Sequence, residues 1–317
     1  MLSVRVTAPP ALAARVRQRL EEDPTVCDLA VAPRAGVDGA DVMVFEMTRE
    51  NANNVMRMLR HSGVAAHGAV VVSEPLVVLS EDASRAEREA PGHPADGVIW
   101  AELGARAWDD ARPSWSFLLF LLLATLIAGV GRLLDQPILI IGAMVVGPEF
   151  APIAALCFAV VRRRRGIAGW ALTTLFGGIA ACAVVAWALW RAAYLLGVFT
   201  YEQATSGPLT DFIVSPDAWS FVIALLAGVA GVLSLSTSKS SALVGVFISI
   251  TTVPAVGAIG LTLAVGAWSE AMMAAVQLVV NIAGLIVAGI ATLSVQLVVS
   301  RRVGWLAARR ARRRRRG

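Results

Sequence analysis

Glu149 stands in the run Gly147-Pro148-Glu149-Phe150-Ala151-Pro152, within a stretch otherwise free of charge and polar side chains from Ile138 to Val161. A carboxyl group at membrane depth costs about 2.5–3.5 kcal/mol on insertion scales, so it persists where it pairs, binds or couples. The chemistry available to it is proton or cation coupling. The competing reading is a structural carboxyl, hydrogen-bonded to backbone that the prolines release. A proline inside a helix removes one hydrogen bond and clashes one turn back. In lipid the freed carbonyls survive only where protein or a water-filled cavity covers them. A second interrupted run, Ser249-Ile250-Thr251-Thr252-Val253-Pro254-Ala255-Val256-Gly257, supplies hydroxyls, and Gln277 and Asn281 lie one helical turn apart on a common face. The candidate substrate- or ion-binding set is therefore Gly147, Pro148, Glu149, Pro152, Thr251, Thr252, Pro254, Gln277 and Asn281. Plain interhelical hydrogen bonding is the alternative for Thr251, Thr252, Gln277 and Asn281. Ser238, Lys239 and Ser240 belong to a polar stretch, Ser234 to Ser241, that reads as a cytoplasmic access point or as a solvated loop.

Other chemistries find little support. No HExxH, GxSxG or paired-carboxylate arrangement occurs, so an enzyme is not expected. Cys27, Cys157 and Cys182 lack the spacing of a disulfide framework or a zinc site and read as apolar fillers. His61 and His67 are either ligands for a small molecule or metal, or exposed histidines at a helix end and a turn. Neither a cofactor nor a metal is expected.

The elements that position this set follow from composition. Of 317 residues, 57% are hydrophobic and 16% charged, which excludes an ordinary water-soluble enzyme. Residues 1–112 hold 12 basic against 17 acidic residues, and 113–317 hold 16 against 6, so two parts in different solvents are expected. Residues 2–8 alternate as a strand, and Leu12, Val16 and Leu20 recur as in a helix. Strands follow at Val26–Ala32 and Asp41–Met47, a helix at Asn51–His61 and a strand at Val64–Val72, with Leu76–Leu79 as an extra edge strand. The order βαββαβ predicts an α+β ferredoxin-like domain over 1–80. Residues 80–97 read as a mobile linker, and Val98–Trp108 as an interfacial amphipathic segment, so 81–112 connects the two parts. The start, MLSVRVTAPP, lacks a signal-peptide pattern, so a cytoplasmic N-terminus is expected.

Six apolar stretches, roughly 115–134, 137–161, 167–196, 218–235, 242–266 and 270–299, predict an all-α six-span domain over 113–300. Arg162 to Arg165, Lys239 and nine arginines after residue 300 all fall on one side, which places both termini in the cytoplasm and the chain in the cell membrane. Residues 301–317 form a basic tail, headed by Trp305, that anchors to anionic lipid more readily than to nucleic acid. Arg191 snorkels and is assigned no role. An offset of 102 residues lays Ala128-Gly129-Val130 on Ala230-Gly231-Val232 and Pro152 on Pro254. Three spans per unit is an odd number, so this predicts a 3+3 inverted repeat, 113–199 and 215–301, with the second and fifth spans broken and facing each other.

At IGAMVVGPEFAPI (141–153) and STSKSSALVGVFISITTVP (236–254) the chain resembles domain-of-unknown-function family number 389, a bacterial and archaeal group of hydrophobic membrane proteins, over roughly 110–300. The core is Gly142-Ala143-Met144 with Pro148 and Pro152. Where many relatives have a Leu-Met type pair after the first proline, this chain has Glu149-Phe150, which looks like an actinobacterial-type subgroup. The resemblance implies the membrane architecture and leaves the substrate open.

Together these expectations describe a secondary transporter or channel for a small solute or ion, regulated by a cytoplasmic domain that binds a small ligand. The rival is a non-transporting signalling or scaffold protein. Homo-oligomerisation is expected through small-residue faces, Gly177-Gly178 and Gly284 with Ala288.

Overall fold

Alternation of Leu2, Val4, Val6 and Ala8 gives strand β1 (Leu2–Ala8), with all four side chains buried. Pro9 ends it, and Pro10 opens helix α1 (Pro10–Glu21), at a position where a missing amide hydrogen loses no bond. Strands β2 (Val26–Ala32) and β3 (Asp41–Met47) fall on the expected ranges. Helix α2 (Ala52–His61) is followed by Gly63 at φ +82. With β4 (Ala69–Ser73) the sheet is antiparallel throughout, in the order β2-β3-β1-β4. Leu12, Val16 and Leu20 of α1 and Val55 and Leu59 of α2 pack on one face of this sheet with Val4, Val6, Met43 and Phe45. Fully burying each such side chain contributes roughly 1.5–3 kcal/mol, so this layer is the core of the N-terminal part.

This computed structural model describes residues 1–90, 98–215, 217–236, 245, 246, 248 and 251–314, with 301–314 as backbone alone. The chain divides into two compact units, Met1–Glu102 with Gln296–Gly317, and Leu103–Val295.

Three expectations for the first unit are corrected. Residues Val64–His67 form a short helix, α3, and the strand begins only at Ala69. Val64 alone of that run is buried, so nothing there alternates as a strand requires. Leu76–Leu79 adds no strand: it follows Pro75, and Leu76, Val77 and Leu79 are exposed. Residues 81–89, read as linker, are helix α4 (Glu81–Glu89). Ser80 caps it by accepting from the Ala83 amide at 3.3 Å, and Ala83 and Ala86 are buried as the helix packs on β2 and β3. The amino terminus meets Glu87 at 3.1 Å. Residues 91–97 lie outside those described.

Beyond helix α5 (Trp100–Ala111), the second unit is helical. Helix α6 covers Trp115–Leu133, and α7 (Pro137–Val146) and α8 (Phe150–Val161) meet at a 50° bend. Helix α9 (Arg165–Leu172) runs through one π-helical turn, Thr173–Gly177, into α10 (Gly178–Leu195). Then come α11 (Tyr201–Thr205), α12 (Ala218–Ser236), α13 (Thr252–Val265) and the 47-residue α14 (Trp268–Arg314). Among the described residues four helices are long and apolar enough to cross a membrane, and up to five if the bent pair α7–α8 is one span rather than a re-entrant loop. Helix α13, with 14 residues, is shorter than the roughly 20 a crossing needs, and most of the expected fifth span before it lies outside the described residues.

Helices α8 and α13 are each held by helices remote in sequence. A side chain at Gly257 of α13 would fall 2.7 Å from Ala128 Cβ and 2.8 Å from Thr125 O, both on α6. From α10, the exposed Arg191 donates Nη1–H to Ala264 O of α13 at 2.9 Å. In the same way a Cβ at Gly231 of α12 would strike the Phe150 ring of α8, and Cys157 Sγ of α8 donates to Ile286 O of α14 at 3.6 Å. Gly284 and Ala288, expected to serve contact between copies, instead pack on Ala224 and Gly228 of α12.

Candidate functional site

The prolines of the two interrupted runs begin helices. Gly147 is extended (φ −65, ψ 127) and ends α7, Pro148 follows, and Glu149 is the N-cap of α8. Pro152 is the third residue of α8 and Pro254 the third of α13. In a first turn the amides have no intrahelical acceptor, so proline there removes nothing. The break in the first run is thus carried by Gly147 and Pro148, and Pro152 and Pro254 are buried starters.

At these two helix starts the polar residues converge. Glu149, 5% exposed, accepts through Oε1 from Thr252 Oγ1 at 2.5 Å. Sequence alignment of the halves pairs Glu149 with Thr251, but the hydrogen bond is made by the next residue. Thr251 is the N-cap of α13, and its Oγ1 accepts from Asn281 Nδ2 at 2.6 Å and from Gln277 Nε2 at 3.3 Å. Gln277 and Asn281, one turn apart on α14, are 1% and 3% exposed. Two buried oxygens, Glu149 Oε2 and Gln277 Oε1, have no hydrogen-bond partner among the described residues. A Cβ on Gly147 would overlap Glu149 Oε2 and come 2.6 Å from Val253 Cγ2, so glycine is what leaves the carboxyl its place. Helices α8 and α13 both start at this point, and their N-terminal amides carry partial positive charge. Glu149, the N-cap residue of α8, makes no side-chain cap hydrogen bond to those amides and is held by Thr252 instead.

The polar members of the set therefore lie in the second unit as two hydrogen-bonded groups, Glu149 with Thr252 and Thr251 with Gln277 and Asn281, which meet at the adjacent Thr251 and Thr252. Ser238, Lys239 and Ser240 lie outside the described residues, so the expected access point is not located. His61 and His67 are exposed, with Nδ1 near the carbonyls of Arg57 and Gly63. Burial, together with Asp28, Glu46, Asp82 and Glu87 nearby, pushes the Cys27 thiol up to about 11, which makes it a poor nucleophile.

One polar centre escaped the sequence reading. Arg132, in the last turn of α6, is 1% exposed. Its Nη1 donates to Gly207 O (3.1 Å), Thr210 Oγ1 (3.0 Å) and Asp211 Oδ1 (3.0 Å), and its Nη2 to Thr205 O (3.0 Å). Asp135 accepts from the Leu209 and Thr210 amides and from Thr210 Oγ1. This centre pins the segment after α11 onto the end of α6. A charge beside a span is a loop charge by every sequence rule, and two of its acceptors are backbone carbonyls, which leave no trace in residue types.

Residues 144–287 match the family described as Domain of unknown function (DUF389), a range that contains every described member of the cluster. An uncharacterized protein of Methanocaldococcus jannaschii is 26% identical over 234 residues, 74% of this chain and 69% of that protein. No solved structure matches the chain.

Proposed function

From a chain whose residues 144–287 fall in this family, we propose a multi-pass membrane protein that acts as a secondary transporter or channel for a small solute or ion. Its site is the cluster of Glu149, Thr252, Thr251, Gln277 and Asn281. The observation that carries this reading is the 2.5 Å bond from Thr252 to Glu149, which joins the starts of two half-helices 103 residues apart in sequence. Half-helices that meet at a buried polar point are how many transporters build a midplane site.

Architecture supports the same reading. Helices α6, α8 and α9 start at 115, 150 and 165, and α12, α13 and α14 at 218, 252 and 268, in step with a 3+3 inverted repeat. The exchange is reciprocal, with α8 held by α12 and α14 and α13 held by α6 and α10. The N-terminal unit is read as a ferredoxin-like domain, because its strand order and the placement of α1 and α2 on one face suit that topology. It is assigned a regulatory, ligand-binding role. Exposed Arg162 to Arg165 between α8 and α9 and the arginine-rich sequence at the end of α14 support cytoplasmic termini under the positive-inside rule, with the tail on anionic lipid.

The test is thiol accessibility in membranes. In a background with Cys27, Cys157 and Cys182 replaced by alanine, Thr252→Cys and Asn281→Cys react with a water-soluble, membrane-impermeant reagent, and buried Ala186→Cys does not. Unreactive thiols at both site positions would mean a dry, sealed core and favour the scaffold reading.

A further inference from the structure

The cluster's internal hydrogen bonding leaves two buried side-chain oxygens with no partner among the described residues. Thr251 Oγ1 already accepts two amide hydrogens. Thr252 Oγ1 spends its hydrogen on Glu149 and keeps lone pairs. The buried side-chain atoms of the cluster left with no partner are Glu149 Oε2 and Gln277 Oε1, both acceptors. Unmatched buried acceptors are unfavourable, and because one of the two belongs to a carboxyl group they favour a ligand that supplies positive charge. An anion does not fit. The buried Glu149 carboxyl and the second partnerless oxygen, Gln277 Oε1, would repel it.

We propose that this cluster binds one small monovalent inorganic cation of the sodium class, with Glu149 Oε2, Gln277 Oε1 and Thr252 Oγ1 as its oxygen donors. All three are hard oxygen donors, and only one carries charge. Among the described residues no group of three His, Cys, Asp or Glu side chains could hold a metal ion, which argues against a divalent cation with its several carboxylates. The close approach of Gly147 and Val253 to the carboxyl argues for a small ion over an organic one. This inference rests on reading the cluster as the transport site and names what that site takes.

The experiment is thermal unfolding of the purified full chain in detergent, at constant ionic strength, with sodium chloride replacing N-methylglucamine chloride. Lithium, potassium and sodium gluconate form parallel arms, each at pH 6 and pH 8. Stabilisation that saturates with sodium, exceeds that by potassium and ignores the anion is expected. Glu149→Gln should abolish the sodium dependence, and Gln277→Leu should raise the half-saturating concentration at least tenfold. Midpoints that follow pH but not sodium, or that follow the anion, overturn the proposal in the wild-type protein alone, whatever the variants do. The transport reading fails separately, by unreactive thiols at Thr252→Cys and Asn281→Cys, and a sodium effect with those thiols sealed would leave a purely structural cation.

Discussion

Replacing Thr252 by valine keeps the side chain's shape and removes the donor to Glu149. Thr252 is 1% and Glu149 5% exposed, so no solvent replaces the lost bond. With its other oxygen already unpartnered, the carboxyl group would have no side-chain donor among the described residues. Leaving a buried acceptor unsatisfied costs about 1–3 kcal/mol, and Thr252→Val should destabilise the chain by that amount. Glu149→Gln supplies the second side of a cycle, since an amide keeps the volume but rearranges the hydrogen bonding. Groups in direct contact couple by about 0.5–3 kcal/mol, and independent ones add to within about 0.5. Unfolding of the purified full chain and its three variants, followed by circular dichroism in detergent under denaturant titration, should give a coupling above about 1 kcal/mol. Strict additivity would mean that the two half-helix starts do not hold one another, and the site built on that contact would fall.

Gly147→Ala should cost about 1–3 kcal/mol by overpacking against Glu149 and Val253, and Glu149→Ala should recover part of it, as read by the same unfolding assay. Arg132→Gln removes a buried cation from two carbonyls, a hydroxyl and a carboxylate. Asp211 is 56% exposed, so most of the expected loss of about 3–5 kcal/mol comes from the enclosed neutral acceptors, and limited proteolysis between residues 199 and 215 should speed up. Arg132→Lys should rescue only partly, because one ammonium cannot reproduce the fork. Burial first, and Asp28 second, raise the Glu46 carboxyl above its ordinary 4.5. A raised acid binds more protons folded than unfolded, so its contribution is present at low pH and is lost as pH rises through the raised value. Glu46→Gln should therefore flatten that part of the chain's melting-temperature profile against pH.

Much of this was legible because the signals were strong and local. The alternation at Leu2 to Ala8 and Asp41 to Met47 gave strands to the residue, and a carboxyl flanked by prolines in an apolar run drew attention to Glu149. What escaped depended on weaker cues. Helix α4 buries alanines at 83 and 86, too small to stand out as an apolar stripe among Glu, Asp and Arg. The run Val64-Ala65-Ala66 carries no periodicity, and a helical turn and a strand read alike over so few residues. Sequence spacing brought Thr251 and Thr252 together as candidates but could not say which bonds Glu149, because one residue turns a helix by about 100°. The Arg132 centre was invisible for a different reason, since its partners lie more than 70 residues away and half of them are main-chain oxygens.

The reciprocal grip on α8 and α13 bears on how this chain is made. Helix α13, with 14 residues, is shorter than the roughly 20 a crossing needs, α8 reaches that length only together with α7 across the 50° bend, and the helices that cradle α8 are synthesised after it. Phe150 and Cys157 of α8 are thus covered only once α12 and α14 have been made. Residues 1–199 expressed alone are therefore expected to leave α8 open to limited proteolysis, and co-expression with the remaining residues to protect it.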